Sequence, residues 1–112
     1  MTNTAIDFEH LARQTGGDLA LERELLVLFS QQCVRHLRTI HGSTDDQARR
    51  DAAHTLKGAA RAIGAWQVAD AADLVEQQLG APDQLALEAG MDALALAAAE
   101  ARAAIARFDC AA

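Results

Sequence analysis

The sequence predicts an all-α protein: an antiparallel up-down four-helix bundle with a short additional N-terminal helix. Three observations predict it. Ala and Leu dominate a chain with one Pro and only 4 % aromatic residues, a composition that favours helix. No run of Val, Ile, Thr and aromatics bounded by turn residues reads as a strand. Apolar residues instead recur at steps of three and four in stretches separated by glycine-containing breaks. With 112 residues, 51 % of them hydrophobic, the chain suits one domain over 1–112 with one core.

The elements follow in order. A first short helix is expected from about Asp7 to Gln14, with Asp7 as N-cap and Phe8, Leu11 and Ala12 on one side. Gly16-Gly17 stops it, and Asp18 opens the second helix, Leu19 to Ile40. Leu26, Phe29, Cys33, Leu37 and Ile40 form its apolar ladder, widened by Leu25 and Leu28, while Glu22, Arg23, Gln31 and Arg35 face elsewhere. After His41-Gly42-Ser43-Thr44, the Thr44/Gln47 spacing reads as a capping box, with Asp45 and Asp46 complementing the helix dipole. The third helix then runs from about Asp45 to Ala62 or Ile63 and closes at Gly64. A fourth spans Trp66 to Leu79, with Val68, Ala72, Val75 and Leu79 at core spacing and Gly80-Ala81-Pro82 as its stop. The fifth, Asp83 to Phe108, places Leu87, Met91, Leu94, Ala98, Ala101, Ile105 and Phe108 at bundle spacing, with Gly90 as a weak point. Connections of a few residues make neighbouring helices antiparallel.

Charge and cysteine content narrow the functional classes. Ten Lys and Arg against sixteen Asp and Glu give a formal charge of −6, the wrong balance for a nucleic-acid binder. The segment from Met1 to Glu9 has no basic start followed by an apolar run, so no signal peptide is expected. No window approaches about 18 uninterrupted apolar residues, so no membrane span is expected either. A soluble cytoplasmic protein is the expected class. There Cys33 and Cys110 stay reduced; Cys33 reads as a small core residue and Cys110 as part of a frayed end. His36 and His41 are not at ligand spacing on a helix, and no metal site is expected.

The chemistry concentrates in Asp51 to Gly64. With His54 at zero and about 100° per residue, Lys57, Arg50 and Arg61 fall at about 300°, 320° and 340°, and Gly58 at about 40°. Ala52, Leu56, Ala59 and Ile63 lie on the opposite side, between about 140° and 200°. The helix therefore displays a histidine, flanked by cations and a bare backbone patch, away from its apolar stripe. Neutral imidazole is a nucleophile at physiological pH and can hold a phosphoryl group covalently. Such a carrier needs an exposed nucleophile, a cation to offset phosphoryl charge and room for a docking partner. Lys57 can supply the cation. Gly58 removes the side chain that would obstruct approach, at a helix cost of about 1 kcal/mol relative to Ala. A lone surface histidine, a pair of solvated cations or a single helix glycine would each be unremarkable. Their combination in His54-x-Leu56-Lys57-Gly58 is not.

His54-Thr-Leu-Lys-Gly-Ala-Ala-Arg-Ala-Ile-Gly64 resembles the signature of histidine-containing phosphotransfer (HPt) domains of bacterial two-component phosphorelays: a His, a Leu two on, Lys-Gly directly after it, small residues, then an aliphatic-Gly pair. Gly16-Gly17-Asp18 leading to Leu25-Leu26 and Phe29, and Ala71-Ala72-Asp73-Leu74-Val75-Glu76, look like two further helices of that family. The resemblance implies a bundle carrying a phosphoryl group on His54, with Lys57 balancing its charge and Gly58 allowing access. Receiver domains of response regulators, or of a hybrid histidine kinase, would donate and accept the group through an Asp and Mg²⁺ of their own. The chain would bind no cofactor and would be a phosphocarrier rather than an enzyme in its own right; it also lacks a Gly-rich nucleotide loop. Family members often place Gln or Glu on the following helix to orient the imidazole. Glu76 matches best by spacing, with Gln77 and Gln78 as alternatives. Arg50 and Arg61 would steer an acidic receiver pocket.

Two other readings compete. A non-transferring helical module could bind or sequester a receiver or kinase, but it would have little use for a helix-interior Gly58. A histidine-kinase dimerisation domain would pair two hairpins across a dimer, whereas four long helices close their own bundle, so a monomer is expected.

Overall fold

Aspartate caps at four helix starts and left-handed glycines at two helix ends help to divide the described residues into five helices. The structure, a computed structural model, describes residues 4–81 and 83–111, the last three by backbone alone. Helix α1 spans Phe8–Thr15, with Asp7 Oδ1 accepting from the His10 N–H at 3.0 Å and Gly16 ending it in the left-handed region at φ 67°. Helix α2, Leu19–Gly42, opens on Asp18, whose Oδ1 accepts from the Leu21 N–H at 3.0 Å. Helix α3 is Asp46–Ile63, α4 is Trp66–Gln78 and α5 is Gln84–Ala111. Asp83 Oδ1 accepts from the Ala86 N–H in the first turn of α5. Each such cap satisfies a donor the helix itself leaves unpaired.

The four long helices form a ring in which α2 packs on α3, α3 on α4, α4 on α5 and α5 back on α2. Side-chain links fix the directions. As α5 runs from Met91 past Arg102 to Phe108, its partners run backwards, from Arg49 beside Ile40, to Ser30, to Phe8 on α1. The molecule is 44 Å long, close to the ~42 Å expected of a 28-residue helix. Phe29, Leu26, Cys33, Ile40, Leu56, Val68, Val75 and Leu94 are buried in its interior. The most extensive contact is between α3 and α4, which bury Ala53 and Ala60 on one side and Ala69 and Ala72 on the other. Small side chains let the two backbones approach, and that closeness brings polar residues on their outer edges within reach of each other.

Helix α1 covers the end of the bundle where α3 turns into α4. The Asp7 N–H donates to Gly64 O at 2.9 Å, and Trp66 Nε1 donates to Asp7 Oδ2 at 3.1 Å. His10 donates from Nε2 to the Arg61 carbonyl at 3.1 Å, and its ring meets Trp66 edge-on. Ile6 and Leu11 are buried beneath.

Several expectations are corrected. Asp45, not Thr44, caps α3: its Oδ1 accepts from the N–H groups of Gln47 and Ala48 at 3.0 and 3.4 Å, while the Gln47 side chain turns to Asp51. A carboxylate one residue nearer the helix, a residue type preferred over threonine at an N-cap, takes the place of the threonine hydroxyl. Glu22 is buried instead of facing solvent, because the turn at Gly16-Gly17 folds α1 over it and Thr15 Oγ1 donates to its Oε2 at 3.1 Å. Leu28 does not widen the α2 stripe; it is 49 % exposed, the stripe being complete without it. Helix α4 ends at Gln78 with Leu79 as its C-cap, and Pro82 lies outside the described residues. Helix α5 continues past Phe108 to Ala111, so the backbone at Cys110 is helical rather than frayed; the Cys110 side chain lies outside the described residues. Cys33 is in the core, where burial pushes its thiol up to about 11.

Candidate functional site

His54 stands on the third turn of α3, away from its buried face of Ala52, Ala53, Leu56, Ala60 and Ile63. Its side chain is 67 % exposed, and Nδ1 lies 3.0 Å from Glu76 Oε2 on α4. The other Glu76 oxygen accepts from Lys57 Nζ at 2.8 Å, and the same ammonium reaches Asp73 Oδ1 at 3.1 Å. Asp73 Oδ2 in turn accepts from Gln77 Nε2 at 2.9 Å. One continuous string of hydrogen bonds therefore runs from the imidazole through Glu76 and Lys57 to Asp73.

The electrostatics decide which imidazole nitrogen is which. The Lys57 hydrogen bond holds the Glu76 carboxyl below its ordinary range; burial opposes it, and the His54 hydrogen bond adds a smaller lowering. Glu76 is therefore ionised at neutral pH and can only accept. His54 must donate from Nδ1, which in the neutral ring leaves the lone pair on Nε2. Hydrogen bonds to Glu76 and Asp73 hold the Lys57 ammonium above its ordinary range, so it stays charged.

Gly58 is exposed, and a Cβ built on it would meet nothing within 4 Å. Close helix packing, the ordinary reason for glycine inside a helix, does not apply at this position. Arg50 is half-buried one turn before His54, its Nη2 donating to Gln47 Oε1 at 3.0 Å. Arg61 is exposed near the end of α3, and its carbonyl receives the His10 bond. Of the three neighbours on α4, Glu76 carries the bond to His54, Gln77 bonds Asp73, and Gln78 is half-buried.

Two features escaped the sequence reading. Lys57 is engaged by two carboxylates rather than free beside the histidine, and Asp73 was not singled out at all. The available signal was its spacing: Asp73 and Glu76 are three apart and share a face of α4.

Chemically, the arrangement offers one exposed nucleophilic nitrogen on a rigid helix, with its tautomer fixed from behind and open space beside it. Among the described residues, no helix is long and apolar enough to cross a membrane. The sequence model of one family, described as Hpt domain, matches residues 23–104, from early α2 to late α5, leaving α1 outside. No curated protein and no solved structure matches the chain.

Proposed function

The chain belongs to the Hpt domain family of phosphorelay histidine phosphotransfer domains, and on that premise we propose that it relays a phosphoryl group reversibly between His54 and the phospho-accepting Asp of response-regulator receiver domains. The observation that carries this reading is the His54 Nδ1–Glu76 Oε2 hydrogen bond, because it leaves the Nε2 lone pair unengaged on a side chain that is 67 % exposed.

In the forward step the Nε2 lone pair attacks the phosphorus of a receiver aspartyl phosphate. The P–N bond forms as the P–O bond breaks, and the electron pair leaves with the receiver carboxylate. The ring proton remains on Nδ1 against Glu76, so no proton need be moved. In the reverse step a receiver carboxylate attacks phosphorus, and the pair returns to Nε2. With Nδ1 still protonated, the departing group is a neutral imidazole rather than its anion. Glu76 is thus a positioning residue that orients the ring and steadies the charge it gains. Lys57 offsets the Glu76 charge beside the incoming phosphoryl group. Gly58 leaves the approach path clear, and Arg50 and Arg61 favour an acidic partner surface. The receiver supplies Mg²⁺ and most of the catalysis. We place the carrier in the cytoplasm with its receivers and expect a monomer, which sedimentation would check.

Incubation with phosphorylated receiver domains tests the reading. Wild type should acquire an acid-labile, base-stable label, and His54→Ala should acquire none. Label persisting in that variant would sink the assignment. A receiver that binds wild type and His54→Ala equally, with no label on either, would favour the non-transferring module instead.

A further inference from the structure

The site holds one acid more than the imidazole uses. Glu76 is accounted for by His54. Asp73, one turn earlier on α4, gives one oxygen to Lys57 and the other to Gln77. The Lys57 side chain is only 14 % exposed between Asp73 at 36 % and Glu76 at 27 %, so its ammonium is drawn inward between two carboxylates. Counting charges, Lys57, Asp73 and Glu76 sum to −1 beside the imidazole. A phosphoryl group arriving on Nε2 would place nearly two negative charges on its oxygens, offset in part by the positive charge the ring gains. For Lys57 to turn toward that group it must loosen its hold on a carboxylate, and Asp73 is the one that does not also hold the imidazole.

We propose that Asp73 is a positioning residue that competes with the phosphoryl group for the Lys57 ammonium, so that the carrier holds phosphoryl groups loosely and yields them readily. The inference rests on His54 being the phosphoryl carrier. It assigns Asp73 a thermodynamic role, setting how the group is shared between chain and partner. It does not make Asp73 a group that touches the reacting atoms. Ion pairs this close to solvent are modest in strength, so the effect is a bias on the equilibrium and not a lock.

The test uses a small-molecule donor, so that no receiver is needed. The chain is equilibrated with phosphoimidazole and imidazole, and phosphorylation is read by ³¹P NMR and on the His54 peptide by mass spectrometry. Asp73→Asn keeps the shape and removes the charge. It should hold about two- to fivefold more phosphohistidine than wild type at equilibrium, the range that exposed ion-pair strengths imply. Asp73→Glu restores the charge and should return the ratio toward wild type, while Asp92→Asn on α5, an equal charge change elsewhere, should leave it unaltered. Damage to the fold would also take His54 away from both carboxylates, so thermal melts of each variant accompany the exchange and only variants that melt as wild type does are compared. Equal constants for wild type and Asp73→Asn, or a lower one in the variant, would overturn the proposal. Failure of every receiver to label wild type would instead overturn the relay reading and leave this exchange measurement standing.

Discussion

At the scale of single residues, the proposed function sets stability against phosphotransfer at Gly58. Glycine in a helix interior costs about 1 kcal/mol relative to alanine, and a Cβ there would meet nothing within 4 Å. Gly58→Ala is therefore expected to stabilise the folded chain by about 1 kcal/mol in urea titrations. The same variant should exchange phosphoryl groups with a receiver more slowly, because the added methyl group stands beside the approach to His54. An unchanged exchange rate would show that the bare patch serves no partner. Cys33 makes the contrasting case. Its thiol is buried and pushed up to about 11, so it is a core atom without a reactive thiolate.

At the scale of elements, the junction of α3 and α4 is the least tolerant point. Gly64 has φ 85°, and a Cβ would fall 2.8 Å from the Asp7 carbonyl oxygen and 3.0 Å from Asp7 Cβ. Gly64→Ala must adopt a left-handed conformation and also push α1 away, for a combined loss of about 2–5 kcal/mol. Trp66, the only tryptophan in the chain, gives the Asp7 side chain its indole N–H and reports the event. Its emission should shift to the red as α1 lifts, together with a lower urea midpoint. An unshifted spectrum and midpoint would show that the α1 cap contributes nothing to the bundle.

At the scale of the whole molecule, acid should loosen the structure at two separate seams. The backbone N–H of His10, then the Trp66 indole, hold the Asp7 carboxyl below its ordinary range; Lys57, then His54, do the same for Glu76. In both cases the unfolded chain takes up a proton at higher pH than the folded one. Their contribution to stability is complete above the ordinary carboxylate range and is lost as pH falls through the depressed values. Lys57 has the opposite sign: its raised value gives a contribution complete below the ordinary lysine range and lost as pH rises through that raised value. Urea midpoints measured across acid pH should therefore decline for wild type and decline less steeply for Asp7→Asn and Glu76→Gln. Parallel slopes for all three would remove these carboxylates as the cause.

The sequence by itself determined the helices and the display of His54. Apolar steps of three and four, the caps at Asp7 and Asp18 and the stop at Gly64 are local signals, and they place the ends they mark to within a residue. The displayed histidine is equally local, since one helix face is set by periodicity alone. The tertiary structure decided what depends on two elements meeting. It made Glu76, rather than Gln77 or Gln78, the partner of His54 Nδ1, because adjacent residues on α4 point about 100° apart and only one is turned toward α3. It drew Lys57 onto Asp73 and Glu76, buried Glu22 under α1, and set α1 against Gly64. Each of these is a contact between segments whose separation along the chain says nothing of their distance in space. The sequence displays His54, and the packing of α3 on α4 decides which of its nitrogens is bonded to Glu76.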